Sequence, residues 1–275
     1  MMSAAQQFGR PTNWRFEAQS RRNSIETLPK GAEGVGPQQN QLLAAMPHDV
    51  QARLRPHLEL VSLPVGKVLY ECGAVQRHVY FPVDCIVALT YEMENGSSAE
   101  VSVVGREGIV GLASFMGGQS TTSRVVVHCA GFAYRLPGDT LQAEFERQGP
   151  VLLLMLRYAQ ALITQISQTA VCNRHHSIEQ QLCRCLLRCL DRLPSSEFAM
   201  TQELMANMLG VRREGVTGAA IKLRKLGVIR YTRGKMRILD RHQLEHLSCE
   251  CYAMVKEESD RLLRFPFAQP RPQVA

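Results

Sequence analysis

The sequence predicts an α+β chain in three consecutive parts: an N-terminal β-roll of jelly-roll type, one long helix, and a C-terminal unit of two short helices closed by a β-hairpin. Three observations carry this. Between Leu63 and Pro137 the chain runs in short β-rich segments, most separated by Gly, Pro, Asn or Asp. From Val151 apolar residues recur at alternating spacings of three and four. From Thr201 two short amphipathic segments meet at Leu209-Gly210-Val211 and lead into an alternating apolar–polar stretch. The expected organisation is an arm at 1–37, the roll at 38–148, the long helix at 149–176, the C-terminal unit at 177–250 and a tail at 251–275.

The elements follow in order. Residues 1–40, rich in Gln, Arg, Ser, Gly and Pro, lack the composition of a packed core, so 1–37 reads as a disordered arm. Residues 41–60 read as helical, with Leu42, Leu43, Met46, Val50, Leu54 and Leu58 apolar. Strands are expected at 65–70, 79–83, 86–91, 99–104, 123–128 and 131–136, with Glu94-Asn95-Gly96 as a hairpin turn. On the long helix Leu152, Met155, Ala159, Leu162, Ile166 and Thr169 form a heptad seam, which predicts a dimerisation helix. Ser177 with Gln180 spells a capping box at the start of the next helix.

Composition bounds the class. A chain of 275 residues with 45% hydrophobic content is long and apolar enough for packed domains. No segment reads as a membrane span, and the N-terminus has no signal-peptide apolar core, so a cytoplasmic protein without a membrane partner is expected. The net charge of +7 is modest, but its distribution is uneven. From 212 to 241 stand Arg212, Arg213, Lys222, Arg224, Lys225, Arg230, Arg233, Lys235, Arg237 and Arg241, against Glu214 and Asp240 alone. Cations crowded at that density repel one another, and a polyanion relieves the repulsion.

The C-terminal unit gives this charge a geometry. Thr201 is a good N-cap, and Gly210 suits a turn with positive φ. The second helix places Val216, Ala219, Ala220, Leu223 and Leu226 on one stripe and Arg212, Arg213, Glu214, Thr217 and Lys222 on the other. Residues 228–239 alternate around Arg233-Gly234, as a two-stranded hairpin does. This is a winged helix-turn-helix, which lays its second helix in the DNA major groove. Double-stranded DNA is the expected partner. The predicted contacts are Thr201, Gln202, Arg212, Arg213, Glu214, Thr217, Lys222, Arg233 and Lys235. Such readers bind paired half-sites, so the second expected partner is another copy of the chain.

From about 41 to 250 the order of roll, long helix, short helix and winged helix resembles the Crp–Fnr family of bacterial transcription regulators. The pattern of Thr201, Leu209-Gly210-Val211, Arg213-Glu214 and Val216 carries the resemblance most specifically. It implies a cyclic-nucleotide-binding-like sensor, a dimer, a palindromic operator, and RNA polymerase as a candidate further partner. It also implies guanine and cytosine edges as the contacts of Arg213 and Glu214, a chemistry these side chains suit. Gly218 departs from the pattern, standing where some members carry a further basic residue. The phosphate-binding stretch, Gly105 to Val127, departs more: Ile109 stands at the glutamate position and Thr121 near the arginine position. Glu107, Gly108, Thr121 and Arg124 are therefore the candidate ligand residues, and the expectation is a sensor that has lost cyclic-nucleotide binding. A sensor for another small ligand and a protein-docking module are the alternatives.

The nine cysteines are an odd count and read as reduced thiols. No cysteine precedes Cys72, which argues against the N-terminal iron–sulfur cluster of some family members. His78, Cys72 and Cys85 are the candidates for a haem ligand in the roll. No cofactor and no metal are expected. Packed thiols are the first reading of Cys183, Cys185, Cys189, Cys249 and Cys251, with a metal or redox role at Cys249 and Cys251 beside His242 or His246 as the second. Cys172 near His175 and His176 lacks an acidic orienter or oxyanion loop, so an enzyme is not expected.

Overall fold

The structure is a computed structural model that describes residues 32–94 and 98–263. Two short helices, α1 (Gln41–Ala45) and α2 (His48–Leu54), precede the roll. Its strands are β1 (Glu59–Leu63), β2 (Val68–Tyr70), β3 (His78–Pro82), β4 (Ile86–Glu92), β5 (Ser98–Val104), β6 (Arg124–Cys129) and β7 (Gly131–Pro137). They form two antiparallel sheets, of order β1-β7-β3 and β2-β6-β4-β5. The inner faces meet through Leu63, Tyr80 and Ala133 from one sheet and Tyr70, Val87, Val104, Val125 and Val127 from the other.

Both outer faces are also covered, which is why these strands read as apolar runs rather than clean alternation. Val79, Phe81, Tyr134 and Leu136 turn outward from the three-stranded sheet onto α1, α2, helix α3 (Gly138–Glu146) and the start of helix α4 (Pro150–His175). Ile86, Ala88, Val103 and Cys129 turn outward from the four-stranded sheet into a second core, shared with helix α5 (Ile178–Arg192) and the C-terminal unit. That unit comprises β8 (Glu197–Ala199), α6 (Gln202–Leu209), α7 (Arg213–Lys225), β9 (Ile229–Thr232), β10 (Lys235–Ile238), α8 (Arg241–Leu247) and α9 (Glu250–Leu263). Continuous apolar packing thus sets the orientation of the C-terminal unit on the roll.

Several expectations are corrected. Leu60 belongs to strand β1, not to a helix: helical structure in this region ends at His57. The last residues of the expected arm are packed. Ala32 is buried, and the Tyr134 hydroxyl donates to the Val35 carbonyl oxygen at 3.1 Å; residues 1–31 lie outside the described residues. Beta4 and β5 pair from Glu92 with Ser98 onward, as the hairpin reading requires, although Asn95 and Gly96 of its turn are also outside them. The expected tail holds helix α9, which lies along α4 and buries Cys251, Tyr252 and Leu262; residues 264–275 are not described. By length and composition alone Pro150–His175 is apolar enough to cross a membrane, contrary to expectation, yet one side of it is core: Val151, Leu154, Met155, Tyr158 and Leu162 are buried.

That burial corrects the seam. Met155, Leu162 and Thr169 point into the protomer, where the Thr169 hydroxyl donates to the Gln165 carbonyl oxygen at 2.8 Å. The outward apolar row is Leu152, Leu156, Ala159, Ile163 and Ile166, with Ile163 64% exposed. Its spacing of four, three, four, three is itself a heptad pattern. Val151 to Leu156 is apolar at every position, so local periodicity fits two registers. The partner across the core, invisible in sequence, selects one.

Candidate nucleic-acid interface

Helix α6 begins where Thr201 Oγ1 accepts from the Leu204 amide at 3.0 Å, and ends at Gly210 in the left-handed region at φ 64°. The turn then closes with Val211 N–H donating to the Ala206 carbonyl oxygen at 3.1 Å. A side chain at Gly210 would be strained, and this turn sets the angle between α6 and α7. On α7 Val216, Ala219, Ala220 and Leu223 are buried, leaving Arg213, Glu214, Gly218 and Ile221 outward. Glu214 in the first turn and Lys222, Arg224 and Lys225 in the last complement the helix dipole.

Thr217 is only half-buried. Its hydroxyl lies 2.9 Å from the Arg213 carbonyl oxygen and 3.1 Å from Gln202 Oε1, so Gln202 braces α7 from α6. The wing turns at Arg233 and Gly234, both with positive φ (50° and 79°), the geometry of a tight hairpin turn matched to strand twist. Beta8 adds a third strand that the sequence reading missed, and Met200 N–H donates to the Gly234 carbonyl oxygen at 2.7 Å, tying the wing tip to the start of the helix pair.

The crowded cations divide into two groups. Lys222 pairs with Glu179 of α5, whose carboxyl it holds below its ordinary range. Arg241 pairs with Asp191 at 2.6 Å and Glu245 at 2.8 Å. Among the described residues Arg212, Arg213, Arg224, Lys225, Arg230, Arg233, Lys235 and Arg237 make no ion pair, and all eight are exposed. Arg230 and Arg237 stand opposite each other in the β9–β10 register, with Glu197 opposite Arg237 on the β8 side, so one positive charge in excess faces an external anion. Of the nine predicted contacts, Lys222 is thus already partnered. Thr201 and Gln202 serve first as cap and brace, while Arg212, Arg213, Glu214, Arg233 and Lys235 face outward.

The sensor residues fare differently. Glu107 turns away from the roll interior and accepts from Arg192 Nε of α5 at 2.8 Å. A Cβ on Gly108 would come within 2.5 Å of the Tyr158 hydroxyl, so Gly108 allows α4 to approach the roll. Arg124 lies on the outside of β6, paired with Glu71 at 3.1 Å and Glu92 at 3.0 Å. Of the four candidates only Thr121 lines the roll's cavity, about 250 Å³ bounded by Leu89, Val104, Ile109, Val110, Ser123 and Leu162 among others, none of them charged. Of the haem candidates, Cys72 is exposed beside the Thr122 carbonyl, His78 opens β3 half-buried, and Cys85 is fully buried, with its thiol pushed up to about 12 by that burial. Cys183, Cys185 and Cys189 are packed in the core beneath the C-terminal unit.

A larger cavity of about 440 Å³ lies between the roll, α4, α5 and α9. Arg106, Arg184, Arg188, Arg192 and Arg241 line it, with Glu107, Asp191 and Asp260 as the acids. Arg188 reaches Glu100 at 3.4 Å, and the same buried carboxylate meets His128 Nδ1 at 3.2 Å. No sequence signal gathers these arginines, because the cavity forms only when α9 packs.

Residues 60–148 match the cyclic nucleotide-binding domain model, and residues 180–247 match the Crp-like helix-turn-helix domain model; together they span more than half of the chain. No curated protein matches the chain. Similar solved structures include FixK2 from Bradyrhizobium japonicum, at 15% identity and TM-score 0.61, covering 70% of this chain and 98% of that one. A putative regulator of the Crp/Fnr family from Eubacterium rectale has 15% identity and TM-score 0.59, covering 75% of this chain and 96% of that one. The c-di-GMP-responsive global regulator CLP of Xanthomonas campestris has 13% identity and TM-score 0.57, covering 70% of this chain and all of that one. With both domain models matched in order and this fold behind them, the chain belongs to the Crp–Fnr family of DNA-binding transcription regulators.

Proposed function

We propose that the protein is a cytoplasmic, homodimeric regulator that reads a two-fold symmetric operator and does no catalysis, its β-roll having lost cyclic-nucleotide binding. One observation carries the DNA reading: among the described residues eight exposed cations without an ion pair surround α7 and the wing, while neighbouring Lys222 and Arg241 are paired with carboxylates. Arg213 and Glu214 project from the first turn of α7 and suit guanine and cytosine edges. Arg233 and Lys235 at the wing suit phosphates, which fix register without reading sequence.

Dimerisation is supported by the outward row Leu152, Leu156, Ala159, Ile163 and Ile166 on α4. An apolar row of that length is costly to leave in water. Two copies joined there would present two α7 helices to half-sites about 34–36 Å apart. Loss of cyclic-nucleotide binding is supported by the uncharged roll cavity, since a buried phosphate needs a cation or donors.

A second reading keeps a small effector but moves it. The five arginines of the larger cavity favour an anion there, seated between the roll and the C-terminal unit. Buried Nε atoms of Arg106, Arg184 and Arg188 have no hydrogen-bond partner and are suited to an anionic ligand.

The test is sedimentation and footprinting of two variants. Ile163→Glu should give a folded monomer that no longer protects a symmetric site. Arg213→Ala should remain dimeric and lose preference at one base pair in each half-site. An Ile163→Glu variant that stays dimeric would reject the seam.

A further inference from the structure

Four side chains that the DNA reading does not use converge at the end of α4. Cys172 and His176 lie one turn apart there, His176 closing the helix. Cys249 and Cys251 flank the first residue of α9, and Cys249 is 77 residues from Cys172. One ligand atom from each lies within 4.8 Å of all the others. The Cys172 and Cys249 sulfurs are 3.6 Å apart, and Cys251 Sγ is 3.4 Å from His176 Nδ1. Two sulfurs each about 2.3 Å from one tetrahedral ion are about 3.8 Å apart. A disulfide needs about 2.05 Å, so the thiols are spaced for a shared ion rather than for a bond between them.

The surroundings fit the same chemistry. All three thiols are buried and form a cluster of their own, apart from the apolar cores. His176 Nε2 is 3.3 Å from Glu250 Oε1. A carboxylate on the outer ring nitrogen fixes the tautomer and turns the inner nitrogen toward a metal. Gln168 Nε2 donates to Cys251 Sγ at 3.1 Å, as an outer-shell donor does to a coordinating thiolate. Three sulfurs and one imidazole are soft donors, and four protein ligands leave no open position, which is the structural rather than the catalytic pattern.

We propose that Cys172, His176, Cys249 and Cys251 form a Cys₃His site for a single thiophilic divalent cation, zinc in the first instance, which clamps α9 onto α4. The proposal departs from the sequence expectation of no metal and from the pairing of Cys249 and Cys251 with His242 or His246: here the histidine stands at the C-terminal cap of α4. Because Cys249 lies between α8 and α9, just past the wing, and Cys172 lies on the helix with the outward seam, the ion ties the end of the reading unit to that helix.

The experiment uses the full chain, purified under reducing, oxygen-free conditions without chelators. Elemental analysis should find one zinc per chain, and the demetallated protein refilled with Co²⁺ should show thiolate charge-transfer bands and the strong visible bands of a tetrahedral ion. Cys172→Ser and Cys251→Ser should retain less than about a tenth of the metal under the same competition by a chelator. Cys72→Ser, which removes an exposed thiol outside the cluster, should keep all of it. Should the serine variants fold poorly, the wild-type protein alone decides: chelation should lower its Tm, and added zinc should restore it. Three results would overturn the proposal: no zinc and no tetrahedral cobalt spectrum in the wild type, iron with acid-labile sulfide instead of a mononuclear ion, or a Cys172–Cys249 disulfide in thiol-trapped protein.

Discussion

The reading surface and the sensor roll hold similar side chains in opposite states. Around α7 and the wing eight cations stand exposed without an ion-pair partner among the described residues. In and around the roll the charges are paired: Glu100 with Arg188 in the buried interior, Glu107 with Arg192 largely covered, and Arg124 with Glu71 and Glu92 at the exposed edge. An unpaired exposed charge contributes little to folding and is available to a ligand, whereas a paired buried charge is part of the fold and costly to disturb. The same residue types thus serve binding in one region and assembly in the other, and only their surroundings distinguish them.

Substitutions can break or sharpen this contrast. The largest effect is expected at Arg192. Arg192→Leu strips Glu107, Gln165 and the Arg188 carbonyl of a donor they share at 2.8, 3.1 and 3.0 Å. Unfolding in denaturant should show a loss of about 3 kcal/mol, in the range for breaking a buried pair. A loss below about 0.5 kcal/mol would class this arginine with the free ones.

Arg213→Ala should leave unfolding unchanged and cost about 1–3 kcal/mol in operator affinity, concentrated at one base pair. Lys235→Ala should weaken binding to all sequences alike and reduce the slope of affinity against salt by about one ion. Competition titrations at several salt concentrations separate the two, and a base preference lost in the lysine variant would reject its assignment to phosphate.

Gly218→Ala sharpens the comparison most finely. A Cβ there meets nothing within 4 Å, so the substitution should stabilise the free protein by about 0.5–1 kcal/mol. Any penalty should appear only in DNA binding, where the bare helix face admits close approach to the groove. Thr121→Val should be the smallest change, leaving operator binding as it was with and without cyclic AMP. Cyclic AMP dependence that disappears in this variant would place a working nucleotide site in the roll.

Much of the fold is legible in the sequence because its signals are local. The six strands from Val68 to Pro137 announce themselves as apolar runs between turn residues, and the helix pair by Thr201, Gly210 and two amphipathic stripes. What escapes depends on distant partners. Glu107 looks like a ligand residue until Arg192 arrives from 85 positions away. The α4 seam is misregistered because both apolar rows of that helix satisfy a heptad, and the roll chooses which is covered. Alpha9 carries Cys251, Tyr252, Val255 and Leu262 at helical spacing, yet Lys256, Glu257, Glu258, Asp260 and Arg261 disguise it as a polar tail. Beta8 spans three residues and is defined by β10, not by its own composition.

The most direct measurement of the central claim is selection of bound duplexes from a random library, using the purified protein with no added ligand. A regulator that reads through Arg213 and Glu214 as a dimer should enrich a two-fold symmetric motif with half-sites one helical turn apart, and Arg213→Ala should relax the same position in each half. Enrichment of no motif, with binding that follows salt alone, would contradict it and reduce the basic surface to a sequence-blind grip on the phosphate backbone.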